Sequence, residues 1–124
     1  MRFITMVKSA EKLRADPPPK ELMEAIGKLA QDAADKMVQR GGLMPSEAGA
    51  RVTLSGNGKI TVMDGPFTEA KEVIGGYAIF DLASKQEAID WSTRMLELHK
   101  QHWKGWEGEI EIRQLMDALP CSAP

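Results

Sequence analysis

Two stretches with helical spacing of apolar residues lie among short strand-like runs, in the order strand, helix, weak strand, hairpin, strand, helix, strand. That order predicts an α+β fold: a ferredoxin-like, split βαβ plan with a β-hairpin inserted before the third core strand. The run 73–82 supports it, being apolar at both parities (Tyr77 and Ile79; Ala78, Phe80 and Leu82), as a strand buried on both faces would be. At 124 residues the chain is one domain, long enough to bury roughly two-thirds of its unfolded surface.

The first element, residues 2–8 (RFITMVK), is β-branched and aromatic, with Phe3, Thr5 and Val7 on one face and Ile4 and Met6 on the other. Asp16 and the three prolines that follow it break regular structure and prepare a helix start. Residues 20–40 read as the first helix. Leu22, Ile26, Leu29, Ala33 and Met37 form its stripe, widened by Met23, Ala30, Ala34 and Val38. Gly27 inside it costs about 1 kcal/mol relative to alanine. Gly41-Gly42 reads as its left-handed stop. Residues 43–49 (LMPSEAG) contain Pro45, which excludes a central strand and leaves a short edge strand or an extended connector.

Residues 51–55 and 59–63 alternate on either side of Gly56-Asn57-Gly58, a strong hairpin signal. The Gly-Asn-Gly-Lys string lacks the spacing of a phosphate loop. The turn Asp64-Gly65-Pro66-Phe67 follows, then the charged run with Glu69, Lys71 and Glu72, which leads into the central strand. Ser84 and Glu87 form a capping box for a second helix reaching about His99, with Ala88, Trp91, Met95 and Leu98 inward. After the turn 104–108 (KGWEG), residues 109–115 (EIEIRQL) make the last strand. The domain is expected over 1–116, with 117–124 a flexible C-terminal tail.

A net charge of −2, from 16 basic and 18 acidic residues, argues against nucleic-acid or membrane-surface binding. Cys121 is the single cysteine, so an intrachain disulfide is excluded and a reducing compartment fits. The apolar stretch near Arg2 and Lys8 is too short for a secretory signal, and 73–80 falls far short of a bilayer span. The expectation is a soluble cytoplasmic protein. Right-handed crossovers put both helices on one face of the sheet and leave the other face apolar and uncovered. Large exposed apolar patches are rare on soluble monomers, so a homodimer packing sheet on sheet is expected.

The run DGPFTEAKE (64–72), followed by Gly75, Gly76 and Tyr77, resembles the signature of DGPF-domain proteins within the YCII-related family. The resemblance extends over nearly the whole chain, through the Gly-Gly-Leu segment, the Asn-Gly hairpin and the closing EGEIEIR strand. It implies a dimeric α/β barrel, cytoplasmic and bacterial, often encoded beside alternative sigma factors. It implies little chemistry, since most members have no assigned activity. YCII-type relatives include a ring-dehydrochlorinating enzyme, with a His-Asp pair as the suggested active centre and its histidine on the first helix. This chain has no histidine between Lys20 and Arg40, which leaves that mechanism without its base.

Four residues stand as catalytic candidates. Asp64 is either the hydrogen-bond acceptor of an Asx-type turn or a general acid–base at a pocket mouth. Glu111 and Arg113 share a parity opposite Ile110 and Ile112, which points them into the space between sheets, as an ion pair or an anion contact. Arg113 is expected to be at least partly buried. His99, three residues before His102 at a helix end, is either a charge partner of the helix C-terminus or a pocket histidine. Two histidines without a third ligand are no zinc site, and no metal or cofactor is expected. Phe67 reads as the anchor of its loop and Trp103 and Trp106 as core or interface anchors. Nucleophile-elbow and dinucleotide motifs are absent from the sequence. Two functions remain: a small-molecule-binding protein with its cleft near the inter-sheet space, or a cofactor-independent lyase, isomerase or hydrolase using carboxylate acid–base chemistry.

Overall fold

A computed structural model describes residues 1–10, 17–67 and 73–116. The charged run 68–72 and the tail 117–124, with Cys121, lie outside the described residues. The chain runs β1 (Arg2–Ser9), α1 (Lys20–Asp32), β2 (Met37–Gly42), a 3-10 turn (Ser46–Ala48), β3 (Ala50–Leu54), β4 (Ile60–Asp64), β5 (Val73–Asp81), α2 (Lys85–His102) and β6 (Glu109–Gln114). Four strands form one antiparallel sheet in the order β2-β5-β1-β6, while β3 and β4 pair apart from it. The fold is therefore α+β with two antiparallel sheets.

Both helices pack on one face of the larger sheet. Phe3 of β1, Phe80 of β5, Leu82, Ala33 and Ala88 form the buried core, joined by half-buried Met37, Ala78, Trp91 and Ile112. Strand alternation then turns Ile4, Met6, Tyr77, Ile79, Glu111 and Arg113 to the opposite, open face. β1 and β5 lie in the middle of the sheet, as two-sided apolar strands should.

The first helix is shorter than its periodicity suggests. It ends at Asp32, and Met37–Gly42 is an edge strand paired with β5, not the helix's last turns and stop. Residues 43–49, expected as a short edge strand or an extended connector, form a connector that holds the 3-10 turn Ser46–Ala48, capped by Pro45. The misleading signal is Ala33 and Met37, four residues apart. Ala33 closes the helix and Met37 opens the strand, but both reach the same core, so the spacing looks helical. The backbone of β5, which needs a partner on its far side, gains that ladder of hydrogen bonds.

The capping box holds: Ser84 Oγ accepts from the Glu87 amide at 3.3 Å, and the Ala83 amide donates to Glu87 Oε2 at 3.4 Å. In the hairpin, Gly58 has φ +86°, and the Gly58 amide donates to the Ser55 carbonyl at 2.9 Å. Asn57 Oδ1 accepts from the Lys59 amide at 3.0 Å. Val52 opposes Val62 and Leu54 opposes Ile60, so these four share one hairpin face, each 65–70% exposed.

Candidate functional site

The four candidate side chains do not converge. Asp64 is exposed at the end of β4, in the smaller sheet, and has no hydrogen-bond or ion-pair partner among the described residues. The turn it opens is a packing device. Gly65 lies against the Ser46 carbonyl so closely that a Cβ there would fall on the 3-10 turn's backbone. The Gly65 amide donates to the Gly49 carbonyl at 2.9 Å and the Phe67 amide to Ser46 Oγ at 3.1 Å. Phe67 anchors the loop, with the Arg51 guanidinium 3.9 Å above its ring. The Asx-turn role expected for Asp64 is filled instead by backbone groups and Ser46.

Glu111 and Arg113 sit on edge strand β6, on the open sheet face. Glu111 takes Lys8 Nζ at 2.8 Å through one carboxylate oxygen and Arg113 Nη1 at 3.3 Å through the other. The bond from Lys8, and then that from Arg113, hold the Glu111 carboxyl below its usual range. Lys8 was missing from the expected pair because it lies 103 residues away in sequence and meets Glu111 only through the β1–β6 pairing. Arg113 finds its carboxylate, but its side chain is 71% exposed rather than partly buried. An edge strand has a neighbour on one side only, which leaves so long a side chain in solvent.

His99 is the candidate that reaches a cavity. On the helix side of the sheet, a partly open cavity of about 600 Å³ lies between α1, α2 and strands β2, β5, β1 and β6. This space lies on the opposite side of the sheet from the face expected to border the inter-sheet cleft. Its floor is open because Gly42 and Gly76 pair across β2 and β5, removing two side chains that would stand there. A Cβ on Gly42 would meet only the Gly75 carbonyl, at 3.9 Å. Its walls are Met, Ile and Leu side chains together with Trp91, Trp103 and Trp106, all the tryptophans of the chain.

His99 is 7% exposed. Its Nδ1 lies 2.9 Å from the Met95 carbonyl, which accepts only, so Nδ1 carries the proton and Nε2 presents a lone pair. Burial pushes the imidazole pKa down, against a smaller opposing effect of the Met95 bond, and the ring is neutral at pH 7. The ring packs 4.4 Å from Trp106 and 6.5 Å from Trp103, centroid to centroid. Gly105, at φ +86°, makes the turn that folds Trp106 back onto it. His102 lies outside this cluster, and among the described residues no three metal-ligating side chains come together.

Ser92 lies seven residues before His99, on the same face of α2. It is 8% exposed, and its buried hydroxyl has no hydrogen-bond partner among the described residues. Sequence reading passed over it, because a lone serine in an amphipathic helix resembles an outward polar residue. The available signal was its register with Ala88, Met95 and His99, at spacings of four, three and four. A neutral acceptor, a free hydroxyl and aromatic walls can hold an apolar molecule and fix it by one or two hydrogen bonds. No carboxylate lines the cavity among the described residues.

The model of the YCII-related domain matches residues 1–104. An uncharacterized protein of Rhizobium meliloti (strain 1021) is 34% identical over 82 residues, covering 66% of this chain and 61% of that relative. The chain thus spans less than two-thirds of the length of the curated relative it matches.

Proposed function

The chain belongs to the YCII-related family, and from that premise we propose that it binds a small, largely apolar molecule between its helices and its sheet. The carrying observation is the buried Ser92 hydroxyl, unpartnered among the described residues, in a cavity of about 600 Å³ that the neutral His99 also lines. Buried polar atoms nearly always have partners, and a ligand in this cavity supplies one. The volume lies within the range of small-molecule sites, as does an apolar lining with few polar groups.

The reading as an acid–base enzyme is weaker. Asp64, Glu111 and Arg113 are all absent from the described cavity lining, which keeps only His99, as a neutral imidazole, of the four expected catalytic residues.

A ferredoxin-like plan with β3–β4 inserted, in a cytoplasmic homodimer forming a dimeric α/β barrel, belongs to this proposal, and the strand order β2-β5-β1-β6 supports it. Two features support the dimer: the apolar open face at Ile4, Met6, Tyr77 and Ile79, and the exposed hairpin face. The second copy covers them.

The binding function is tested by a thermal-shift screen of chemically varied small molecules on the wild type and on Gly42→Val. Any compound that binds only the native state raises its melting temperature. Valine at Gly42 suits a strand, and its Cβ meets only the Gly75 carbonyl at 3.9 Å while its methyls take up the floor, so hits should stabilise the wild type and not the variant. Hits that stabilise both equally contradict the reading.

A further inference from the structure

Resting on that reading, we infer that the occupant is a small amphiphilic anion, an apolar body carrying one carboxylate that pairs with Arg40 at the cavity's rim. Arg40 lies on edge strand β2 opposite Ala78, whose side chain faces the helices, so it stands on the cavity side of the sheet. It is exposed, and has no ion-pair or hydrogen-bond partner among the described residues. Among the described residues it is the one Lys or Arg in the lining, and Asp and Glu are lacking there. The site therefore has a positive end and an apolar interior.

Strands stand about 4.8 Å apart, so roughly 10 Å separates Arg40's strand from β1 beneath the middle of the cavity. An apolar chain entering beside Arg40 crosses the glycine floor of Gly42 and Gly76 before meeting Trp103, Trp106 and His99. Ser92 Oγ and His99 Nε2 then offer the body a hydrogen bond if it carries a hydroxyl or amide. The aromatic cluster by itself suits a cation equally well. Arg40 and the lack of carboxylates among the described lining residues decide against a cation, which would find no counter-charge there and meet one of its own sign.

Octanoate, octanol and octylammonium share one apolar body and differ in charge. Their binding is read by intrinsic fluorescence, since every tryptophan lines the cavity. Octanoate should bind the wild type about two- to fivefold more tightly than octanol, as a charge-assisted bond at an exposed, solvent-screened rim allows. Added salt should narrow that gap. Arg40→Met, which keeps an apolar stem, should bring the ratio near one, and Arg40→Lys should keep part of it. Gly42→Val should weaken both ligands alike. Equal binding of octanoate and octanol by the wild type overturns the anion assignment and leaves the cavity as an apolar site. Tightest binding of octylammonium overturns it too, as does a preference for octanoate that survives Arg40→Met. A fluorescence response absent for all three ligands, or unchanged in Gly42→Val, overturns the cavity reading and the anion assignment together.

Discussion

Replacing Gly65 by alanine should damage stability, because the new methyl falls on the Ser46 carbonyl. Backbone cannot yield as a flexible side chain does, so the 3-10 turn and the base of the hairpin must separate. Two hydrogen bonds are lost or stretched, Gly65 to Gly49 and Phe67 to Ser46, each contributing about 1 kcal/mol net. The Arg51–Phe67 stacking adds about 0.5–1 kcal/mol. The expected loss is about 2–3 kcal/mol, which for a chain of this size lowers the melting temperature by roughly 6–15 °C. Calorimetry and urea denaturation measure it, with Gly56→Ala as the comparison. Gly56 has nothing within 4 Å of its Cβ position, and its variant should stay within about 0.5 kcal/mol of the wild type. If Gly65→Ala melts within a degree or two of the wild type, the view of the DGPF turn as a packing device is wrong.

Gly27 lies in α1 with open space around its Cβ position, so Gly27→Ala should stabilise the protein by about 0.5–1 kcal/mol in denaturation. His99 is buried neutral with its folded pKa below the unfolded value of 6.5. Its stabilising contribution is thus complete above that value and is lost as pH falls toward the folded pKa, where the unfolded chain takes up the proton first. Melting temperatures measured across this window should decline toward acid in the wild type more steeply than in His99→Phe; parallel curves would contradict the assignment. For the homodimer, sedimentation velocity should find two copies associated at micromolar concentration, and Val52→Thr with Val62→Thr should weaken that association. A folded monomer in the wild type would remove it.

Much of the fold was legible because local chemistry and tertiary packing agree. The Asn57-Gly58 turn, the Ser84–Glu87 box and the two-sided strand at Tyr77–Phe80 each carry their own signal. The boundary of α1 was not legible, since Ala33 and Met37 serve one core from two kinds of element. The parity of Glu111 and Arg113 was correctly read from Ile110 and Ile112, but their place on an edge strand depends on pairings across most of the chain. The site was least legible. Its hollow comes from side chains that are missing, at Gly42 and Gly76, and its carrying hydroxyl sits on a serine that looks like any surface serine. His99 looked like a helix-end histidine until Gly105 turned Trp106 over it.

The most direct test is a proton–nitrogen correlation spectrum of the tryptophan indole groups during titration with octanoate. All three indoles line the cavity, whereas the exposed apolar hairpin face carries none. Saturable shifts of the Trp91, Trp103 and Trp106 indole signals are expected in the wild type and should be abolished in Gly42→Val. Unmoved indole signals, with shifts confined to the backbone amides of β3 and β4, would contradict it.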